Sequence, residues 1–185
     1  MRLPVSPIAA YLFVLIWTSF PFTPAEPVLI GAGSLAAGGG LALGVVILAA
    51  TAGSFVSDLL KYAIGRYGGP SLLRRLRRRP AGKRALAWVE ARMAVIGPAV
   101  IVPSYLVPFG VVVATLLCGA LRLPLRGVAV ASAVGAACWA TVYGLLGYAG
   151  TSVTGDPIVG AALGLTVALA IGWAVRRATT EAQAG

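Results

Sequence analysis

The sequence predicts an all-α, multi-pass membrane protein with two re-entrant hairpins, about three transmembrane helices and a basic interfacial helix. Three observations predict it. Hydrophobic residues make up 59% of the 185 and charged residues only 11%, with a mean hydropathy of +0.92; that composition belongs to an integral membrane protein of one domain. The net charge of +10 is clustered rather than spread. Finally, two of the apolar stretches are interrupted by proline-rich breaks, which leaves arms shorter than the ~20 residues a helix needs to cross a bilayer.

The first hairpin covers 8–37. Its arms are Ile8 to Phe20 and Val28 to Ala37, and its tip carries Pro21, Pro24 and Pro27 around one carboxylate, Glu26. Proline removes a backbone donor and stops helix continuation. Helix, broken tip, helix is the simplest solution, and it places Glu26 inside the membrane. Bare backbone survives at that depth only when packed in protein or lining a wet cavity. Met1 to Ala25 has the outline of a signal peptide, but the prolines make a poor cleavage site and the chain stays apolar beyond it, so the segment is read as retained.

Gly38 to Gly40 reads as a flexible joint. The first full span runs over 41–66, with Gly40 and Gly44 at the spacing that permits close helix contact. Asp58 interrupts it about two turns before its end, one helical turn from Tyr62 and on the same face. Gly68-Gly69-Pro70 is expected to end this helix. Residues 70–92 form a basic segment: Leu72, Leu73, Leu76, Leu86, Trp88 and Val89 alternate with Arg74, Arg75, Arg77, Arg78, Arg79, Lys83, Arg84 and Arg92. Such a stripe suits the headgroup layer. Nucleic acid is excluded as a partner because no recognition fold surrounds the run.

The second hairpin, 93–121, repeats the first. Its arms, Met93 to Val102 and Val111 to Leu121, flank a break at Pro103 to Gly110 that includes Pro108. A span over 127–149 follows, then a polar loop from Thr151 to Asp156. The last span is 157–176, closed by Arg176 and Arg177, with a polar tail after it. Gly160 and Gly164 repeat the close-contact spacing, which permits a homo-oligomer without requiring one. Cys118 and Cys138 are expected to be buried packing residues, not a disulfide. There is no histidine and no ligand spacing, so no metal and no cofactor is expected.

The basic loops set the orientation. The Arg74 to Arg92 loop, Arg122 with Arg126, and Arg176 with Arg177 are expected on the cytoplasmic side. The hairpins then enter from opposite faces, as in the inverted repeats of secondary transporters.

The ordered motifs resemble the DedA family of bacterial membrane proteins, the SNARE-associated or VTT-type group. Pro24-Ala25-Glu26 resembles the family's first tip. Asp58, Tyr62, Gly65-Arg66 and Gly69 resemble its acid, Tyr, Gly-Arg and Gly pattern. Pro108, Cys118-Gly119, Leu123-Pro124, Gly135 with Trp139, and Gly147 with Gly150 resemble its later half, so the likeness covers about residues 15 to 150. The resemblance implies an inner-membrane protein that moves lipids, polyprenyl phosphate among them, as a flippase or scramblase with proton coupling. It also exposes departures. The family's two tip arginines fall here at Tyr105 and Val111, neither basic, which weakens phosphate binding by that tip; the first arm carries Thr18 and Ser19 where many members have an acid.

Each candidate residue has two readings. Glu26 carries protons, or caps the second arm. Asp58 carries protons, or is neutralised by Lys61 or Arg66. Arg66 and Arg122 meet headgroups, or Arg66 snorkels to the interface. Ser104 and Tyr105 stand in for the arginines as neutral ligands, or satisfy broken backbone. Pro24, Pro27, Pro103, Pro108 and Gly110 shape the tips, while Tyr62, Gly65, Gly119, Gly135 and Trp139 pack. No nucleophile-and-base spacing supports an enzyme. The function expected is transport of membrane lipids, coupled to protons. The alternatives are a non-transporting scaffold in envelope homeostasis and an ion or small-solute carrier.

Overall fold

The computed structural model describes residues 6–78, 91, 93, 95–105 and 110–184, without the side chains of 70, 72, 75–77 and 171–184. Among the described residues there are helices and turns and no strand. The helices are α1 (Pro7–Ser19), α2 (Glu26–Ala37), α3 (Leu43–Arg77), α4 (Ile101–Ser104, led by a 3-10 turn at Gly97–Val100), α5 (Gly110–Ala120), α6 (Leu125–Thr154) and α7 (Pro157–Ala184). Two stretches, Leu43–Gly69 and Leu125–Thr154, are long and apolar enough to cross a membrane. The chain divides into two compact units, Met1–Ser54 with Ala136–Gly185, and Phe55–Gly135.

In the first unit α1 starts with Ser6 accepting the Ala9 N–H and Pro7 at its first position, a favoured entry. It ends at a tight tip. Trp17 Nε1 donates to the Pro24 carbonyl at 3.1 Å, the Thr23 hydroxyl donates to Trp17 and Phe20 carbonyls, and Phe22 takes a positive φ of 83°. Side chains thus replace the backbone bonds that the prolines remove. Helix α2 packs along α7 and against α6, where Gly33 lies on the Gly144 backbone and Gly147 on that of Ile30. The buried Ser34 hydroxyl bonds Thr151 and the Pro157 carbonyl. Large apolar side chains remain outside: Ile8, Leu12, Phe13 and Ile16 of α1, and Phe20 just after it, are each more than half exposed, a surface suited to lipid.

In the second unit, Tyr62, Met93, Ile101, Ala114, Cys118, Val128 and Ala131 form the core. Gly65 on α3 lies against the Leu116 backbone of α5, and Gly119 on α5 lies against that of Tyr62. The two helices therefore meet with no side chain between them at these points.

Several sequence boundaries are corrected. Helix α3 does not stop at Gly68-Gly69-Pro70 but runs on to Arg77. Pro70 deletes one backbone bond without ending the helix, Ser71 satisfies the Gly68 carbonyl, and Gly69 serves packing against Ala120 rather than termination. The Thr151 to Asp156 loop shrinks, because α6 continues to Thr154 and Gly155 turns the chain with φ 72°. Helix α7 passes Arg176 and Arg177 and the polar tail, whose alanines, glutamate and glutamine favour helix. The break of the second hairpin begins after Ser104, since Pro103 sits inside the single turn of α4, where its missing N–H breaks no bond. Its first arm is not one helix either, being turned at Gly97 (φ 58°). Gly44 faces open space rather than a neighbouring helix, and Cys138 is exposed rather than buried. Pro108 and most of the 79–92 basic run, Arg92 included, lie outside the described residues.

Candidate functional site

Helix α3 carries the most buried charge. Asp58 is 0% exposed and Lys61, one turn on, 5%. Lys61 Nζ donates to Asp58 Oδ1 at 2.8 Å, and the Tyr105 hydroxyl donates to Asp58 Oδ2 at 2.7 Å. Both carboxylate oxygens are therefore held, one by an ammonium on the same helix and one by the residue that follows α4. Asp58 is about 22 Å from Leu43 and about 16 Å from Gly69 along the axis, near the middle of the candidate span. A buried pair of this kind is tolerated because the charges neutralise each other and the remaining lone pairs are bonded.

One turn further, the Tyr62 hydroxyl donates to the Leu123 carbonyl at 2.7 Å and accepts from Arg66 Nη1 at 3.0 Å. So Arg66 is held beside the α5–α6 turn and does not pair with Asp58. That turn carries Arg122 with φ 56°, a left-handed conformation unusual for a non-glycine residue. Around it Leu123 N–H reaches the Cys118 carbonyl and Arg122 N–H that of Gly119, closing α5. Arg66, Arg122 and Arg126 have no carboxylate partner among the described residues.

Glu26 opens α2, half-buried, on an N-cap, Ala25, that provides no side-chain bond. It makes no hydrogen bond or ion pair among the described residues. Pro24 and Pro27 beside it are exposed. The Ser104 hydroxyl bonds the Ile101 carbonyl at 2.6 Å. Pro103 is exposed, and Gly110 begins α5. Gly135 is where the Tyr105 ring and the Val102 backbone approach α6. Trp139 is buried and lies 5.6 Å from the Tyr143 ring, tilted by 46°.

The structure thus brings Asp58, Lys61 and Tyr105 together, and separately Tyr62, Arg66 and the Arg122 turn. Glu26 belongs to the first unit and the others to the second. Sequence reasoning gave Lys61 only the part of a neutralising partner. It passed over Ser132, whose fully buried hydroxyl has no hydrogen-bond partner; a lone serine among alanines gives no pattern to find it by.

A VTT domain model matches residues 10–149. The chain belongs to the VTT domain family. This is the DedA or SNARE-associated group, membrane-associated and transport-related. The VTT match takes in α1 through most of α6, and so every residue of both clusters. No curated protein and no solved structure matches the chain.

Proposed function

We propose that this VTT protein moves lipids across the bacterial inner membrane, with protons coupled to the movement. The observation that carries the reading is the buried Asp58–Lys61–Tyr105 cluster near the middle of an apolar helix. Ionisable groups inside a span are expensive, and they mark transport paths and proton relays. Asp58 and Glu26 take the proton-handling roles. Arg66 and Arg122 receive headgroups at the cytoplasmic side, where the basic loops place them. The broken hairpins enter part-way through the bilayer and supply backbone that lines a polar path. The substrate is an amphiphile with an anionic head, a phospholipid or a polyprenyl phosphate, and no covalent chemistry is performed on it.

Lipid movement in proteoliposomes tests this. Asp58→Asn is expected to slow movement at least tenfold and to flatten its pH dependence, with Asp58→Glu retaining part of both. Wild-type rates in Asp58→Asn, with the same pH dependence, refute the proton role.

A further inference from the structure

The cluster at Asp58 has a property that goes further and rests on the transport reading above. It is neutral as a whole, and it contains the only buried cation among the described residues, Lys61. We propose that Lys61 is the intramembrane binding group for a tetrahedral oxyanion headgroup, and that Asp58 and the anion exchange places on it, one proton for one negative charge.

The argument is electrostatic. A site at this depth holds a neutral assembly far more readily than a charged one. In the closed state Asp58 carries the negative charge and Lys61 the positive. An anion that reaches Lys61 while Asp58 stays ionised makes the site negative, and protonation of Asp58 alone makes it positive. Only the joint event conserves neutrality: Asp58 takes one proton from solvent and releases Lys61, and the oxyanion accepts the freed ammonium hydrogen bonds. Lys61 keeps its own proton throughout.

The surroundings fit this exchange. Tyr105, itself half-buried, donates to the second carboxylate oxygen, so it holds Asp58 in the closed state. On the face of α6 that receives the Tyr105 ring at Gly135, one turn earlier, Ser132 keeps a buried hydroxyl with no partner. In this proposal its partner is an oxygen of the bound oxyanion. The other titratable groups of this core, Tyr62 and Cys118, are buried; Tyr62 is bonded to Leu123 and Arg66, and the Cys118 thiol is free. Neither brings a competing charge. Lysine suits the role because its ammonium is a point charge with three rotatable donors and accommodates either partner.

The test uses the purified full chain in detergent and octanesulfonate, an amphiphile whose charge does not titrate. Wild type is expected to take up about one proton for each sulfonate bound, so affinity falls about tenfold per pH unit across the range of uptake. Asp58→Asn is expected to bind without proton uptake and without pH dependence. Lys61→Met alone strands a buried carboxylate and risks misfolding, so the deciding variant is Asp58→Asn with Lys61→Met, neutral and foldable; it is expected to lose at least tenfold in affinity. Ser132→Ala is expected to weaken binding several-fold with proton uptake intact. Inorganic phosphate at equal concentration distinguishes the source of the anion: coupled binding by sulfonate alone supports a headgroup, and coupled binding by both supports a free oxyanion. Wild-type binding without proton uptake, or tight binding by the double variant, overturns the exchange. Lipid movement is measured separately. Movement with uncoupled binding refutes the exchange and leaves the transport reading standing; coupled binding without movement does the reverse.

Discussion

Two side chains outside the Asp58 cluster show how single residues set local geometry. Asp156 Oδ1 accepts the Ile158 N–H at 2.7 Å and the Val159 N–H at 3.0 Å, so it caps α7. Asp156→Ala is expected to lower stability by about 1 kcal/mol and Asp156→Asn by much less, read as thermal midpoints in detergent. Arg122 holds a backbone conformation that disfavours any Cβ, by roughly 1–2 kcal/mol. Arg122→Gly relieves that strain, so the variant is expected to be more stable while binding vesicles rich in anionic lipid more weakly. A stabilised variant with unchanged lipid preference assigns Arg122 to the turn alone. The contrast is informative because strain maintained at a non-glycine residue points to a use for its side chain.

For the elements, the glycines divide into those pressed against a neighbour and those that are not. Gly65 lies on the Leu116 backbone, whereas Gly44, on the same helix, meets nothing. Gly65→Ala is expected to destabilise by about 1–3 kcal/mol through overpacking, and Gly44→Ala to stabilise by up to about 1 kcal/mol through helix propensity. Thermal melts of both variants side by side check this. The same pair shows what the sequence could convey. Spacing announces that two glycines share a face, but not whether a partner lies opposite; Gly40 and Gly44 have the same spacing as Gly160 and Gly164, yet Gly160 and Gly164 are closely packed whereas Gly44 meets nothing. Apolar length located α3 and α6, and the proline runs located the first tip. The ends of α3 and α6 are not legible locally, because Pro70 and the threonines near 151 disfavour helix by propensity, which packing overrides. The Asp58–Lys61 contact was legible as an i,i+3 spacing. The Tyr105 bond was not, since 47 residues separate it from Asp58 and no local pattern carries such a pairing.

For the molecule as a whole, the question is which surface meets lipid. Cys138 is exposed on α6, about 20 Å from Leu125 and about 24 Å from Thr154 along the axis. In intact vesicles it is expected to resist a charged, impermeant maleimide from either side and to react with a lipid-soluble one. Buried Cys118 is expected to react with neither until the protein is unfolded in dodecyl sulfate. Labelling of Cys138 by the impermeant reagent contradicts the placement of α6 across the bilayer. The exposed apolar side chains of α1 agree with a lipid-facing surface, which water would penalise at about 25 cal/mol per Å².

The unbroken passage of α3 through Pro70 has a mechanical corollary. Thirty-five residues of continuous helix measure about 52 Å, well beyond a hydrocarbon layer of about 30 Å, so a rod of this length set across a bilayer has an end, the one bearing Arg74 and followed by Arg78, that reaches past the hydrocarbon. A rod swivelling by about 10° around Asp58 carries Arg77 sideways by about 5 Å. In the transport proposed above, a change of charge at the Asp58 carboxyl reaches the far end of this rod as a lever arm's sweep.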